Sequence, residues 1–148
     1  MAEELRRFGA RPRDDAAELF RRMTFNALIS NTDDHPRNHA VIAGDKEWRL
    51  SPAYDLMPSM PISSERRDLA LICGDRGRRA HAENLLSQSR RFHTGRDQAD
   101  MIITAMEKQI NSTWYETARR AGVSEKDCDT IKSAFGYPGF RLPVGERA

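Results

Sequence analysis

Asn31-Thr32-Asp33-Asp34-His35-Pro36-Arg37-Asn38-His39 packs two carboxylates, two imidazoles and two carboxamides into nine residues. Asn, Thr and Asp side chains bond readily to their own backbone, so they favour caps and turns over helix interiors. Pro36 removes a backbone donor, and no regular helix runs through it. On the N-terminal side, Ala16, Leu19, Phe20, Met23 and Ala27 recur at helical spacing, with Asp14 or Asp15 as the expected cap. On the C-terminal side, Ala40-Val41-Ile42-Ala43 and Glu47-Trp48-Arg49-Leu50 flank Gly44-Asp45-Lys46, which predicts a hairpin. The polar run is therefore a loop held between a helix and a hairpin, the kind of place where catalytic groups concentrate. The same residue types also make ordinary turns, and an isolated Asn-Thr-Asp-Asp is read first as a turn.

Further out, residues 2–8 predict a short helix ending at Gly9, followed by a polar linker over residues 10–15. Pro52, Pro58 and Pro61 impose an extended, loop-like path after the hairpin, and Leu69-Ala70-Leu71-Ile72 reads as a short strand. Residues 74–79, Gly-Asp-Arg-Gly-Arg-Arg, read as a mobile loop. Then the pattern is helical. Residues 81–92 carry Leu85, Leu86 and Ser89 on one face, and residues 97–121 carry a stripe of Ala99, Ile103, Met106, Ile110, Trp114 and Ala118. Gly122 suits a left-handed C-cap, and Ser124 with Asp127 opens a last helix burying Cys128, Ile131 and Phe135. The fold class expected is mainly α, one domain over residues 1–148, with a small β-hairpin after the polar loop.

Composition narrows the function classes. Of 148 residues, 31% are charged and 39% apolar, and the formal charge is only +2, so neither a nucleic-acid nor a membrane partner is expected. No apolar run approaches the ~20 residues of a membrane helix, and Met1–Ala10 carries acids and arginines where a secretory signal needs an apolar core. A cytoplasmic location is the expectation. Cys73 and Cys128 stand far apart and read as two buried thiols.

Asp33 is followed five residues later by Asn38, and Asp55 comes just beyond the hairpin in Ser51-Pro52-Ala53-Tyr54-Asp55-Leu56. That order meets the needs of phosphoryl transfer. One Asp orients or deprotonates the attacking hydroxyl, while a carboxamide and a second carboxylate hold magnesium on the phosphates. Magnesium takes hard oxygen ligands and keeps several waters, so one Asn and one Asp suffice where phosphates supply the rest.

These two segments, with Leu19-Phe20-Arg21-Arg22-Met23-Thr24-Phe25-Asn26 before them, resemble the catalytic core of the HipA-like serine/threonine protein kinases, toxins of bacterial toxin–antitoxin modules. The resemblance runs over about residues 5–135 and implies a helical, kinase-type C-terminal lobe. It implies Asp33 as catalytic base and Asn38 and Asp55 as Mg2+ ligands. His35 would face the γ-phosphate of ATP or brace the loop, and Arg37 matches a basic position of the family loop. It further implies a protein substrate, for which a tRNA synthetase or translation factor is the analogy. A helix-turn-helix antitoxin is the implied partner. The nucleotide-gripping N-terminal lobe, with its Gly-rich loop and lysine, has no counterpart before Asp33, so a separate or missing lobe is expected.

Three other readings compete. His35-x3-His39 has the spacing of a helical zinc pair, but Pro36 breaks the helix such a pair needs. No G-x-S-x-G elbow supports a serine hydrolase. A non-catalytic lobe serving as an interaction module is the serious alternative, and the presence of Asp33, Asn38 and Asp55 together ranks enzyme chemistry above it. The arginines at 66, 67, 76, 78 and 79 read as a solvated edge, and Trp114 as core.

Overall fold

A computed structural model describes residues 1–44, 47–60 and 63–142. The turn residues Asp45 and Lys46, and Pro61 of the proline-rich stretch, lie outside the described residues. The architecture is mainly helical with one small antiparallel hairpin. Helix α1 spans Ala2–Phe8 and α2 spans Pro12–Leu28; strands β1 (Val41–Ala43) and β2 (Trp48–Leu50) follow, then α3 (Ala82–Ser87), α4 (Arg96–Arg120) and α5 (Glu125–Ile131).

Helix α2 starts earlier than the expected Asp cap. Pro12 occupies its first turn, where the missing N–H costs nothing, and Asp14 and Asp15 sit within that turn, favourably placed against the helix dipole. Asp15 is turned inward instead of capping. Its buried carboxylate accepts from the Leu50 N–H at 3.2 Å and lies 3.6 Å from the Arg49 guanidinium. Two turns along the same helix, buried Arg22 donates to the Ser51 carbonyl at 2.6 Å and to Glu18 at 3.0 Å. Helix α2 thus grips the end of the hairpin at two points, and Val41 pairs with Leu50 across it. The Ala10 N–H also donates to the Trp48 carbonyl at 2.8 Å, tying the hairpin to the turn between α1 and α2.

Phe20, Met23, Ala27 and Leu28 of α2 meet Leu85 and Leu86 of α3 and Ala99, Ile103 and Ile110 of α4 in one core. The stripe on α4 is as expected at these positions, and its later residue Trp114 is half-buried, stacked on Phe135 with ring centroids 4.6 Å apart. Gly122, at φ +89, ends α4: its N–H reaches the Arg119 carbonyl and the Val123 N–H reaches that of Ala118, a Schellman closure. Ser124 caps α5 by accepting from the Asp127 N–H at 3.1 Å. The expected helix over 81–92 is two pieces, α3 and a 3-10 turn at Ser89–Phe92, stopped by His93 at φ +55. His81 caps α3 through Nδ1, which accepts from the Glu83 N–H; Nε2 therefore carries the proton and donates to the Leu142 carbonyl at 2.7 Å.

Two expectations fail in the stretch between hairpin and α3. Residues 69–72 do not form a strand. Among the described residues they have no ladder partner, only a single bridge between Asp68 and Arg79 beside them, so Leu69 is buried while Ile72 points to solvent. Residues 74–79 are a pinned turn. The buried Asn84 side chain accepts from the Arg76 N–H at 2.7 Å and donates to the Gly77 and Arg79 carbonyls at 3.1 and 2.8 Å. The arginine row is also not uniformly solvated. Arg67 is buried, lies over the Tyr137 ring at 4.2 Å and donates to the carbonyls of Ser63 and Ser133 and to the Ser30 hydroxyl. Burial holds its guanidinium below the ordinary arginine value.

Candidate active site

The polar run leaves α2 through Ser30, at φ +58, whose hydroxyl donates to the Ala134 carbonyl at 2.7 Å. A 3-10 turn over Pro36–Asn38 bends the loop back. The Asn38 and His39 N–H groups donate to the carbonyls of His35 and Pro36, and the Asn38 carboxamide donates to the Asp33 carbonyl at 3.1 Å. This closes residues 33–38 into a compact ring with Asn38 buried beneath it. The Asp33 side chain is 79% exposed, with His35 Nε2 4.0 Å from its carboxylate. A structural Asp would be spent on backbone amides. Among the described residues the Asp33 carboxylate takes no backbone amide.

Asp55 reaches the same loop by two ties. The Asn31 carboxamide donates to the Asp55 carbonyl at 3.0 Å and to Asn26 Oδ1 at 3.2 Å. Next to it, the Tyr54 hydroxyl donates to the Arg37 carbonyl at 2.7 Å. Asp55 sits at φ +56, a conformation Asp tolerates better than most residues, and its side chain is exposed. Arg37 is exposed as well.

The donor set suits a hard cation bound with few protein ligands. Asn38 spends its amide nitrogen on Asp33, which leaves Oδ1 as the acceptor, and Asp55 contributes an exposed carboxylate. Among the described residues no three His, Cys, Asp or Glu side chains group closely enough to hold a metal ion by themselves. The two histidines of the zinc-like spacing are placed differently. His39 is buried and its Nε2 lies 2.7 Å from buried Asp34, whereas His35 faces Asp33. Among the described residues no helix is long and apolar enough to cross a membrane.

Residues 1–114, which include the whole loop, the hairpin and Asp55, match the family described as the HipA-like C-terminal domain. This chain belongs to the HipA-like C-terminal domain family. Two relatives of Sinorhizobium fredii are similar to it. "Putative kinase Y4dM" is 32% identical over 124 residues, covering 79% of this chain and 29% of its own length. "Putative kinase Y4mE" is 31% identical over 74 residues, 50% of this chain and 18% of its own. The HipA-like chain thus spans less than a third of the length of either relative.

Within this HipA-like domain, the residues that hold the candidate loop in place are ones to which the sequence reading gave no such part. Asn31 and Tyr54 carry the ties to the Asp55 segment, and Asp15 and Arg22 fix the hairpin that leads into it. Their type gave one usable signal: a charged residue on the apolar face of a helix, as Asp15 and Arg22 are on α2, has to be paired.

Proposed function

We propose that this HipA-like domain carries the catalytic loop of a kinase that transfers a phosphoryl group from ATP to a serine or threonine hydroxyl of a protein. The observation that carries the reading is that exposed Asp33 and ring-closing Asn38 share one loop, to which Asn31 and Tyr54 tie the Asp55 segment from beyond the hairpin. Asp33 accepts the hydroxyl proton at its carboxylate, and its exposure leaves room for a protein substrate to approach. Asn38 Oδ1 and the Asp55 carboxylate are the oxygens that would hold magnesium, which when bound neutralises charge between the β- and γ-phosphates. His35, beside Asp33, and exposed Arg37 present donors to the phosphate oxygens. In the setting proposed, the protein is the toxin of a toxin–antitoxin module, works in the cytoplasm and meets a helix-turn-helix antitoxin. Family membership supports that setting.

The test is Asp33→Asn in the intact protein that contains this domain, assayed with labelled ATP. Transfer is expected to fall by about two to four orders of magnitude, with the melting temperature unchanged because the side chain is solvated. Transfer near the parent rate would move the catalytic role elsewhere. A second reading, an interaction module, draws on the exposed apolar strip of Phe8, Val41 and Trp48 along α1 and the hairpin. Under that reading Asp33→Asn leaves every function of the protein intact.

A further inference from the structure

Asp34 and His39 each directly follow a residue of the proposed chemistry, Asp33 and Asn38. Their side chains turn the opposite way from Asp33. Both are almost fully buried, 4% and 3% exposed, with His39 Nε2 2.7 Å from Asp34 Oδ1. His39 Nδ1 is buried with no hydrogen-bond partner among the described residues. Two apolar residues would hold a core of this kind at least as well, since a buried polar pair rarely adds net stability over a hydrophobic isostere. What a short, directional bond adds is orientation. It fixes residue 34 against residue 39, while the Asn38 carboxamide fixes Asn38 against the Asp33 carbonyl.

We infer that the Asp34–His39 pair is the positioning clamp of the loop, setting the angle between Asp33 and Asn38 so that base and metal ligand face one phosphate. The inference rests on the kinase reading above. A misplacement on the order of 1 Å costs about a hundredfold in rate, so a clamp of this kind acts on kcat more than on substrate binding.

The experiment uses the intact protein with three variants: Asp34→Leu/His39→Leu together, His39→Gln and Asp33→Asn. The double Leu variant leaves no unpaired buried group, and Gln presents an N–H near the position of Nε2. The double Leu variant is expected to keep its melting temperature and its KM values within about threefold, while kcat falls roughly 10- to 100-fold. His39→Gln is expected to regain most of that loss. A readout independent of activity is hydrogen exchange at the Asn38 and His39 amides, which should quicken at least about tenfold with α4 unchanged. The clamp is refuted by a double Leu variant with parental kcat, by unaltered exchange at those amides, or by a fall in melting temperature parallel to the fall in kcat. Parental activity in Asp33→Asn with quickened loop exchange in the double Leu variant would instead refute the kinase reading and leave the clamp standing as a loop-ordering device.

Discussion

Replacing Asn31 with alanine removes the tie between the loop and the Asp55 segment. The side chain is 3% exposed and its nitrogen makes two hydrogen bonds, to Asn26 Oδ1 and to the Asp55 carbonyl. Each such bond contributes about 1 kcal/mol net. The two ends then fare differently. The Asp55 carbonyl belongs to an exposed residue and takes up water. Asn26 is wholly buried, and its own Nδ2 already lacks a partner among the described residues, so the substitution leaves its carboxamide unpaired at both atoms. That adds about 1–2 kcal/mol, for a total near 2–4 kcal/mol, or roughly 8–15 °C in melting temperature for a domain of this size. Urea unfolding followed by far-UV circular dichroism measures it, with an unchanged m-value expected. Proteolysis between Tyr54 and Ser59 should quicken in the same variant. A loss below about 0.5 kcal/mol with unaltered proteolysis would refute the assignment of Asn31 as the tie.

Burial pushes the Cys73 thiol from an ordinary 9.0 up to about 11. The unfolded chain therefore releases this proton first as pH rises, and folded stability is expected to fall by up to about 3 kcal/mol between pH 9 and 11. Cys73→Ala should flatten that decline, and equal slopes in parent and variant would dismiss the thiol as its source. Tyr137, also raised by burial, adds a decline of the same sign at higher pH, separable with Tyr137→Phe. Gly74→Ala places a Cβ against the backbone oxygen and side chain of Asn84, which cannot withdraw, so a loss of about 2–3 kcal/mol is expected. Gly77→Ala meets open space but keeps φ +69, and should cost nearer 1 kcal/mol. The reverse order in thermal melts would show that the pinned turn is not rigid at Gly74.

The long-period signals in the sequence translated directly into structure. The stripe on α4, the Gly122 cap and the Ser124 cap all depend on neighbours within a turn or two, and local chemistry decides them. Residues 69–72 misled because β-propensity says only that a segment fits a sheet, and no partner strand lies beside this one. Arg67 was read as solvated because sequence spacing gives no hint of the Tyr137 ring or of acceptors at Ser30 and Ser133 in distant segments. Asp14 and Asp15 looked like caps, but Pro12 moved the start of the helix upstream and freed Asp15 to hold the hairpin. In the candidate site, Asp33, Asn38 and Asp55 were legible as candidates from residue type and order. The orientation was not, since it is set by bonds from Asn31 and Tyr54 that look like any other turn residues in the sequence.

The junction of Ser30, Arg67 and Ala134 also dictates an order of events as the chain acquires its shape. Ser30 opens the candidate loop, yet its hydroxyl bonds a carbonyl 104 residues later, and Arg67 bridges the two. Closing a loop of that length is an entropic barrier that local helix formation does not share. Helices α2 and α4 can therefore assemble early, while the mouth of the loop acquires its left-handed turn at Ser30 only when the segment around Ala134 docks. On a ribosome, that segment emerges last of the three. The candidate loop is thus completed only after the scaffold around it, so a nascent chain carries Asp33 without this turn until the segment around Ala134 has emerged.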